Sequence, residues 1–224
     1  MNASLLRYGR FGTAILYLLL ATPAARTWME ATMASHMLLQ MPLLAAIGVV
    51  SCYLLPERLQ NLLLANAGGA IPCVLLAFFA SSYWMLPRAL DAALTNSLNE
   101  MAKFFSLPIV VGLPLGLAWK RLKVIGRGFV WTNFISMLVV LGWLYIIAPV
   151  RVCNNYLVDQ QEDAGWWMVK LALLLFACWF GSLFVGGNSA SSEPGAANPD
   201  GNEFRVINLN GMEIETWITS HPQD

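Results

Sequence analysis

The chain has 224 residues, of which 58% are hydrophobic and 12% are charged, and its formal net charge at pH 7 is zero. A soluble domain usually carries about 25% charged residues, so the chain lacks the polar surface that a water-soluble protein of this size needs. The zero net charge gives no support for nucleic-acid binding. The four cysteines form no CxxC pair, so their spacing favours neither a disulfide framework nor a cysteine metal site.

The apolar residues gather into six blocks, which predict an all-α, polytopic membrane bundle over residues 1–187. Each of the last five blocks approaches the ~20 residues that a helix needs to cross a bilayer. The first block is shorter and ends in a run of small residues at 21–25, so a cleaved signal peptide is the alternative there. The predicted spans are residues 11–25, 32–55, 62–86, 98–119, 129–150 and 166–185.

The distribution of basic residues predicts the orientation of the bundle. One loop, between the fourth and fifth spans, holds Lys120, Arg121, Lys123 and Arg127, here called the basic cluster. Basic loops stay on the cytoplasmic side of a membrane. The sequence therefore predicts a bacterial-type inner-membrane protein with both termini in the cytoplasm. Its expected partners are membrane lipids and another membrane protein or a respiratory complex.

The composition changes sharply after the sixth span. Residues 188–202 are rich in Gly, Ser, Ala, Asn and Pro, which predicts a flexible linker. Residues 203–219 alternate apolar and polar side chains around Asn210-Gly211, a pattern that predicts a short β-hairpin. An isolated hairpin is marginally stable in water, so this cytoplasmic tail is expected to dock on another protein. A frayed tail is the alternative.

The start of the second span carries a face of soft side chains: Met29, Met33, His36 and Met37, with Gln40 one turn further on. Thioether and imidazole groups suit Cu(I), and a histidine at membrane depth is a candidate for function. The face begins at the outward end of its helix, where periplasmic copper would arrive. The alternative is that the methionines are packing material and that His36 hydrogen-bonds a neighbouring helix.

Two outward-facing loops supply the other candidate polar residues. In the third loop, a short helix in the membrane interface is expected, in which Arg88 and Asp91 are spaced to form a pair. The fifth loop could bind a cation, cover the soft face, or be merely solvated. Its candidate residues are Asn154, Asn155, Asp159 and Gln160. Lys103, inside the fourth span, is expected to extend its ammonium to the lipid headgroups.

Three short motifs resemble the CtaG-type cytochrome c oxidase assembly factors. They are His36-Met37 followed by Leu-Leu-Gln-Met-Pro-Leu-Leu, the Trp84-Met-Leu-Pro-Arg-Ala-Leu-Asp91 loop, and Asp159-Gln160 with Gly165 before the last span. The resemblance covers roughly residues 30–185. It implies an inner-membrane bundle that helps to deliver copper to a terminal oxidase. The chain departs from the pattern at Gln40, which stands where a second histidine would complete a ligand pair. Such proteins also tend to be longer, with seven spans and several histidines.

Three functions are consistent with these features. The first is a Cu(I)-binding assembly factor for a respiratory oxidase, with Met29, Met33, His36 and Met37 as ligands. The second is a non-catalytic accessory or scaffolding subunit of a membrane enzyme complex, and the third is a small-solute transporter. An enzyme is not expected, because the sequence has no nucleophile–base pair and no HExxH motif.

Overall fold

The computed structural model describes residues 3–185, 204–209 and 212–217. Apart from two short strands, the regular structure in these residues is helical, which confirms the prediction of an all-α bundle. The chain divides into two compact units, Met1–Leu173 and Leu174–Asp224. In chain order the helices are α1 (Ala3–Ala21), α2 (Pro23–Met29), α3 (Met33–Leu54), α4 (Glu57–Asn66), α5 (Ala70–Trp84), α6 (Pro87–Thr95), α7 (Ser97–Trp119), α8 (Val124–Ile147) and α9 (Val158–Val185).

Among the described residues, four helices are long and apolar enough to cross a membrane. They are Met33–Leu54, Ser97–Trp119, Val124–Ile147 and Val158–Ser182. A fifth span is obtained if α4 and α5, which meet at an angle of 78°, are counted as one bent crossing. Helix α1 is not among them, so the structure supports four or five spans rather than the six that the sequence predicts.

The predicted third span, residues 62–86, is not one straight helix. Gly68 and Gly69 adopt φ values of +79° and +107°, in the left-handed region that glycine enters at little cost. They end α4 and start α5 in a new direction. Alone, the 15 residues of α5 span about 22 Å, which is shorter than the ~30 Å apolar core of a bilayer.

The predicted first span ends earlier than the sequence indicates. Helix α1 stops at Ala21, and Thr22 caps α2 by accepting a hydrogen bond from the Ala25 backbone N–H at 3.4 Å. Pro23 follows at the first helical position, where a missing N–H is tolerated. A second cap, Thr32, accepts from the Ser35 N–H at 3.2 Å and starts α3. The two caps place Glu30 in the short connection between α2 and α3.

Helices α3 and α7 cross with their backbones in contact at two glycines. A Cβ atom on Gly48 would lie 2.0 Å from the Pro108 carbonyl oxygen, and one on Gly112 would lie 2.1 Å from the Ala45 carbonyl oxygen. Glycine is needed at both positions because the two backbones touch. Each helix also has a π-helical stretch, His36–Gln40 in α3 and Leu107–Gly112 in α7.

The second unit contains the end of α9 and two strands. In α9, the rings of Phe176 and Phe180 stack with centroids 5.5 Å apart. Strands β1 (Phe204–Leu209) and β2 (Met212–Trp217) pair antiparallel, with Phe204 opposite Trp217. The predicted linker at 188–202 and the Asn210-Gly211 turn lie outside the described residues. The cytoplasmic location and docking role of this tail stay predictions.

Candidate functional site

A charged network lies inside the bundle and is centred on Lys103 of α7, whose side chain is 0% exposed. Its ammonium donates to Glu30 Oε1 at 2.7 Å, to Gln40 Oε1 at 3.1 Å and to His36 Nε2 at 3.2 Å. An ammonium has three N–H donors, so all of them are used. The prediction that Lys103 extends to the lipid headgroups is therefore wrong: its partners are inside the protein.

His36 is held from both sides of its ring. Since an ammonium cannot accept, Nε2 must accept from Lys103, and the proton of the neutral imidazole is then on Nδ1. Nδ1 lies 3.0 Å from the Tyr156 hydroxyl, to which it donates. The Tyr156 hydroxyl donates in turn to the Glu30 backbone carbonyl at 3.0 Å. The chain of hydrogen bonds therefore runs in one direction from Lys103 through His36 and Tyr156 to Glu30.

Glu30 and Gln40 close the network into a ring. The Gln40 amide donates to Glu30 Oε1 at 3.1 Å, so this oxygen accepts from both Gln40 and Lys103. Of the buried side-chain nitrogen and oxygen atoms that the structure describes, only the Tyr145 hydroxyl lacks a partner. A buried network that is fully satisfied stiffens its surroundings, whereas a partly satisfied one is costly. We call Glu30, His36, Gln40, Lys103 and Tyr156 the Lys103 network.

A second ion pair lies beside the network. Arg26 of α2 pairs with Glu100 of α7, three residues before Lys103. Both cations also lie over the ring of Phe104, with Lys103 Nζ 5.3 Å and Arg26 Cζ 5.8 Å from its centroid. The charges of two cations and two carboxylates therefore cancel at this end of the bundle. This balance lowers the cost of burying charge, because each ion has an opposite partner.

The local structure explains how α3 contributes two members to the network. His36 and Gln40 begin and end the π-helical stretch of α3, and both side chains are 0% exposed. The Met41 N–H bonds back to the His36 carbonyl, one residue further than in an α-helix. Because α3 and α7 touch at Gly48 and Gly112, the two polar side chains are close enough to reach Lys103 directly.

The connection between α8 and α9 is fixed by Asp91 of α6. The Asp91 carboxylate accepts from the Asn154 N–H at 2.8 Å, the Asn155 N–H at 3.3 Å and the Asn155 side-chain amide at 3.1 Å. This clamp places the next residue, Tyr156, against His36. Two ion pairs occur among the described residues, and neither involves Arg88. The predicted Arg88–Asp91 pair is therefore wrong, because Asp91 binds the backbone of the following loop instead.

Burial also changes the acidity of two groups in this connection. Desolvation, with a smaller contribution from Asp91, raises the pKa of Cys153 from 9.0 to about 12. Desolvation raises the pKa of Tyr156 above its ordinary value of 10.0, and the charges of Glu30, Cys153 and Asp91 add to the effect. Both groups are therefore protonated at neutral pH. Tyr156 accordingly keeps the hydroxyl proton that it donates to Glu30.

The predicted residues separate into two groups in the structure. Met29, Met33, His36, Met37 and Gln40 are all buried, so the soft face points into the bundle. Arg88, Asn154, Asn155 and Asp159 are exposed, whereas Asp91 and Gln160 are partly buried. Residues 158–163 belong to α9 rather than to a loop. Among the described residues, no group of three or more His, Cys, Asp or Glu side chains is placed to hold a metal.

Sequence reasoning did not identify Glu30, Lys103 and Tyr156 as members of one site. A lysine inside an apolar span is a signal that an acid must be nearby. Glu30 precedes the second span at the same predicted end of the bundle as Lys103, and this position is the signal that could have identified the pair. No sequence spacing indicates Tyr156, which is 120 residues from His36.

In comparisons with known proteins, no family model, no curated protein and no solved structure matches this chain. The resemblance to the CtaG-type factors therefore stays a prediction from three short motifs.

Proposed function

We propose that the protein is a non-catalytic accessory or assembly factor of a larger membrane complex. The observation that carries this proposal is the closure of the Lys103 network, in which His36 and Lys103 have no donor or acceptor to spare. The network connects α7, the α2–α3 connection, α3 and the Tyr156 loop through side-chain hydrogen bonds. These contacts hold the four segments in fixed positions. The segments would then present a rigid surface to a partner protein.

The proposed topology has six spans, with α1 and the bent α4–α5 pair each counted as one. Packing of α1 supports it: Arg10 donates to the Leu54 carbonyl at 2.9 Å, and Tyr17 donates to the Phe104 carbonyl at 3.3 Å. The connections also separate into two ends. Lys120 and Arg121 bond to Gln60 and Asn61 at one end, and the Lys103 network lies at the other. The basic cluster favours a cytoplasmic location for the first end and for both termini, in an inner membrane.

The accessory role is tested by blue-native electrophoresis of gently solubilised membranes that contain the full chain. We expect the chain to migrate in an assembly larger than itself. The Lys103→Met variant should be released from that assembly, because it leaves Glu30 unpaired and loosens the outer end. The matched control is Arg88→Met, which removes an exposed cation without an ion pair. Migration of the wild-type chain on its own would overturn the proposal.

Copper handling for a respiratory oxidase is the second candidate function. The observation that favours it is the inward orientation of Met33, His36 and Met37, each 0% exposed. Thioether and imidazole groups suit Cu(I), and the resemblance to CtaG-type factors implies the same metal. In the described arrangement both ring nitrogens of His36 are engaged, so copper could bind there only after Lys103 or Tyr156 moves away.

Lys103 and copper would compete for the His36 ring, and this competition gives a direct test of the second candidate function. The purified protein is loaded anaerobically with Cu(I) and analysed for metal, beside His36→Ala and Lys103→Met. Copper handling at His36 predicts about one copper per chain in the wild type, none in His36→Ala, and tighter binding in Lys103→Met. The same copper content in wild type and His36→Ala would remove this candidate and leave the accessory role.

A further inference from the structure

An apolar cleft lies among α3, α5, α7 and α8, with a volume of about 370 Å³. This is within the ~300–1,000 Å³ typical of ligand sites, and none of its lining residues belongs to the Lys103 network. The lining on α7 consists of Leu107, Val111, Leu115 and Trp119, which are spaced four residues apart on one face. The cleft therefore follows the length of the helices instead of forming a round chamber.

The dimensions of the cleft fit a linear molecule. Leu107 and Trp119 are twelve residues apart, which corresponds to about 18 Å along a helix. An elongated apolar cleft of this length suits an extended hydrocarbon chain.

The chemistry of the lining also favours hydrocarbon. Ser81 and Asn133 are polar residues of the cleft, but each donates to a carbonyl of its own helix at 2.9 Å, Ser81 to Phe78 and Asn133 to Phe129. The remaining lining is apolar or aromatic. A saturated chain needs no hydrogen-bond partner, so it can enter such a lining without leaving a polar group unpaired.

The basic residues beside the cleft indicate that the head group of the ligand is anionic. Trp119 and Phe129 line one end of the cleft, and the basic cluster connects these two residues along the chain. The Arg127 guanidinium lies 5.7 Å from the centroid of the Trp119 ring and donates to the Trp119 carbonyl at 3.4 Å. We infer that the cleft holds one acyl chain of an anionic phospholipid, whose phosphate binds the basic cluster at the ends of α7 and α8.

The test is lipid retention by the full-length protein, measured by native mass spectrometry after exchange into detergent. Phosphatidylglycerol and phosphatidylcholine with the same acyl chains are compared. We expect one phosphatidylglycerol per chain to be retained in preference to phosphatidylcholine. The Lys123→Gln, Arg127→Gln double variant should retain phosphatidylglycerol about 30-fold less well, because each basic side chain contributes roughly fivefold at a membrane surface. Equal retention of the two lipids, or no effect of the double variant, would overturn the inference.

A second variant tests the acyl-chain part of the site. Ala77 lines the cleft and is 4% exposed, so Ala77→Phe should fill it and abolish retention. The matched control, Val140→Phe, adds an aromatic ring at a position of α8 that is 63% exposed. Brominated acyl chains provide a further readout: they should quench the tryptophan fluorescence of the wild type, in which Trp119 and Trp131 line the cleft, more than that of Ala77→Phe. Equal quenching of the two proteins, a bound quinone in competition, or a dimer seated on this face would contradict the proposal.

Discussion

At the residue scale, the loss of stability on replacing Lys103 depends on whether its partner Glu30 keeps its charge. The Lys103→Met variant should lower the free energy of unfolding by about 3–5 kcal/mol, because a carboxylate then loses its counter-ion inside the protein. The double variant Lys103→Met, Glu30→Gln should lose less than the sum of the two single variants, since it leaves neither charge unpaired. Thermal unfolding in detergent measures both effects, and additive losses would show that the two residues do not act as a pair.

Cys153 gives a second prediction at this scale. The thiolate is the form that reacts with maleimide, and the raised pKa, about 12, keeps the thiol protonated in the folded protein. The folded pKa is above the ordinary value, so between pH 9 and 12 the unfolded chain gains thiolate and folding stability falls as pH rises. At pH 8, labelling of Cys153 by a membrane-impermeant maleimide should therefore be slow.

The neighbouring position offers a matched control for Cys153. Asn154 is exposed and contacts Asp91 through its backbone N–H, so Asn154→Cys keeps that contact. In a Cys153→Ser background, this new cysteine should react quickly with the same reagent. Equal rates for Cys153 and the cysteine at position 154 would contradict the burial of Cys153.

At the scale of elements, the crossing of α3 and α7 brings the members of the network together. Gly48→Ala and Gly112→Ala should each destabilise the protein by about 1–3 kcal/mol, the usual cost of overpacking. The reason is that the added methyl would lie 2.0 Å from the Pro108 carbonyl oxygen in Gly48→Ala and 2.1 Å from the Ala45 carbonyl oxygen in Gly112→Ala. Gly12→Ala is the control, because no atom lies within 4 Å of its added methyl. Thermal unfolding of the three variants is the measurement, and similar midpoints for all of them would refute the close crossing.

The elements also show what the sequence could predict. The bounds of α3 and α7, Met33–Leu54 and Ser97–Trp119, lie within a residue of the predicted spans, because continuous apolar blocks identify such helices. The bend at Gly68–Gly69 was missed because glycine is tolerated inside membrane helices, and only its backbone angles reveal the break. Two members of the Lys103 network were singled out from the sequence, His36 as a copper ligand and Gln40 as a polar candidate, but neither was predicted to contact Lys103. Glu30 and Tyr156 were missed because contacts between distant segments depend on tertiary packing.

At the scale of the whole molecule, the proposed topology places the two ends of the bundle on opposite sides of the membrane. Single cysteines at Asn154 and Asn61 report on the two ends, since Asn154 lies in the connection clamped by Asp91 and Asn61 bonds to Arg121. In sealed, right-side-out vesicles, an impermeant maleimide should label the cysteine at 154 and should reach the one at 61 only after lysis. Labelling of both cysteines before lysis would contradict the topology.

Both ring nitrogens of His36 are engaged in the Lys103 network, and ¹⁵N NMR of histidine-labelled protein can observe each of them. The chain has two histidines, so a His221→Gln variant assigns the His36 signals without ambiguity. We expect a neutral ring at pH 7 that carries its proton on Nδ1. Loss of the Tyr156 hydroxyl in Tyr156→Phe should shift the Nδ1 signal. An Nε2–H tautomer or an imidazolium would contradict the network, because neither can accept a hydrogen bond from Lys103 at Nε2.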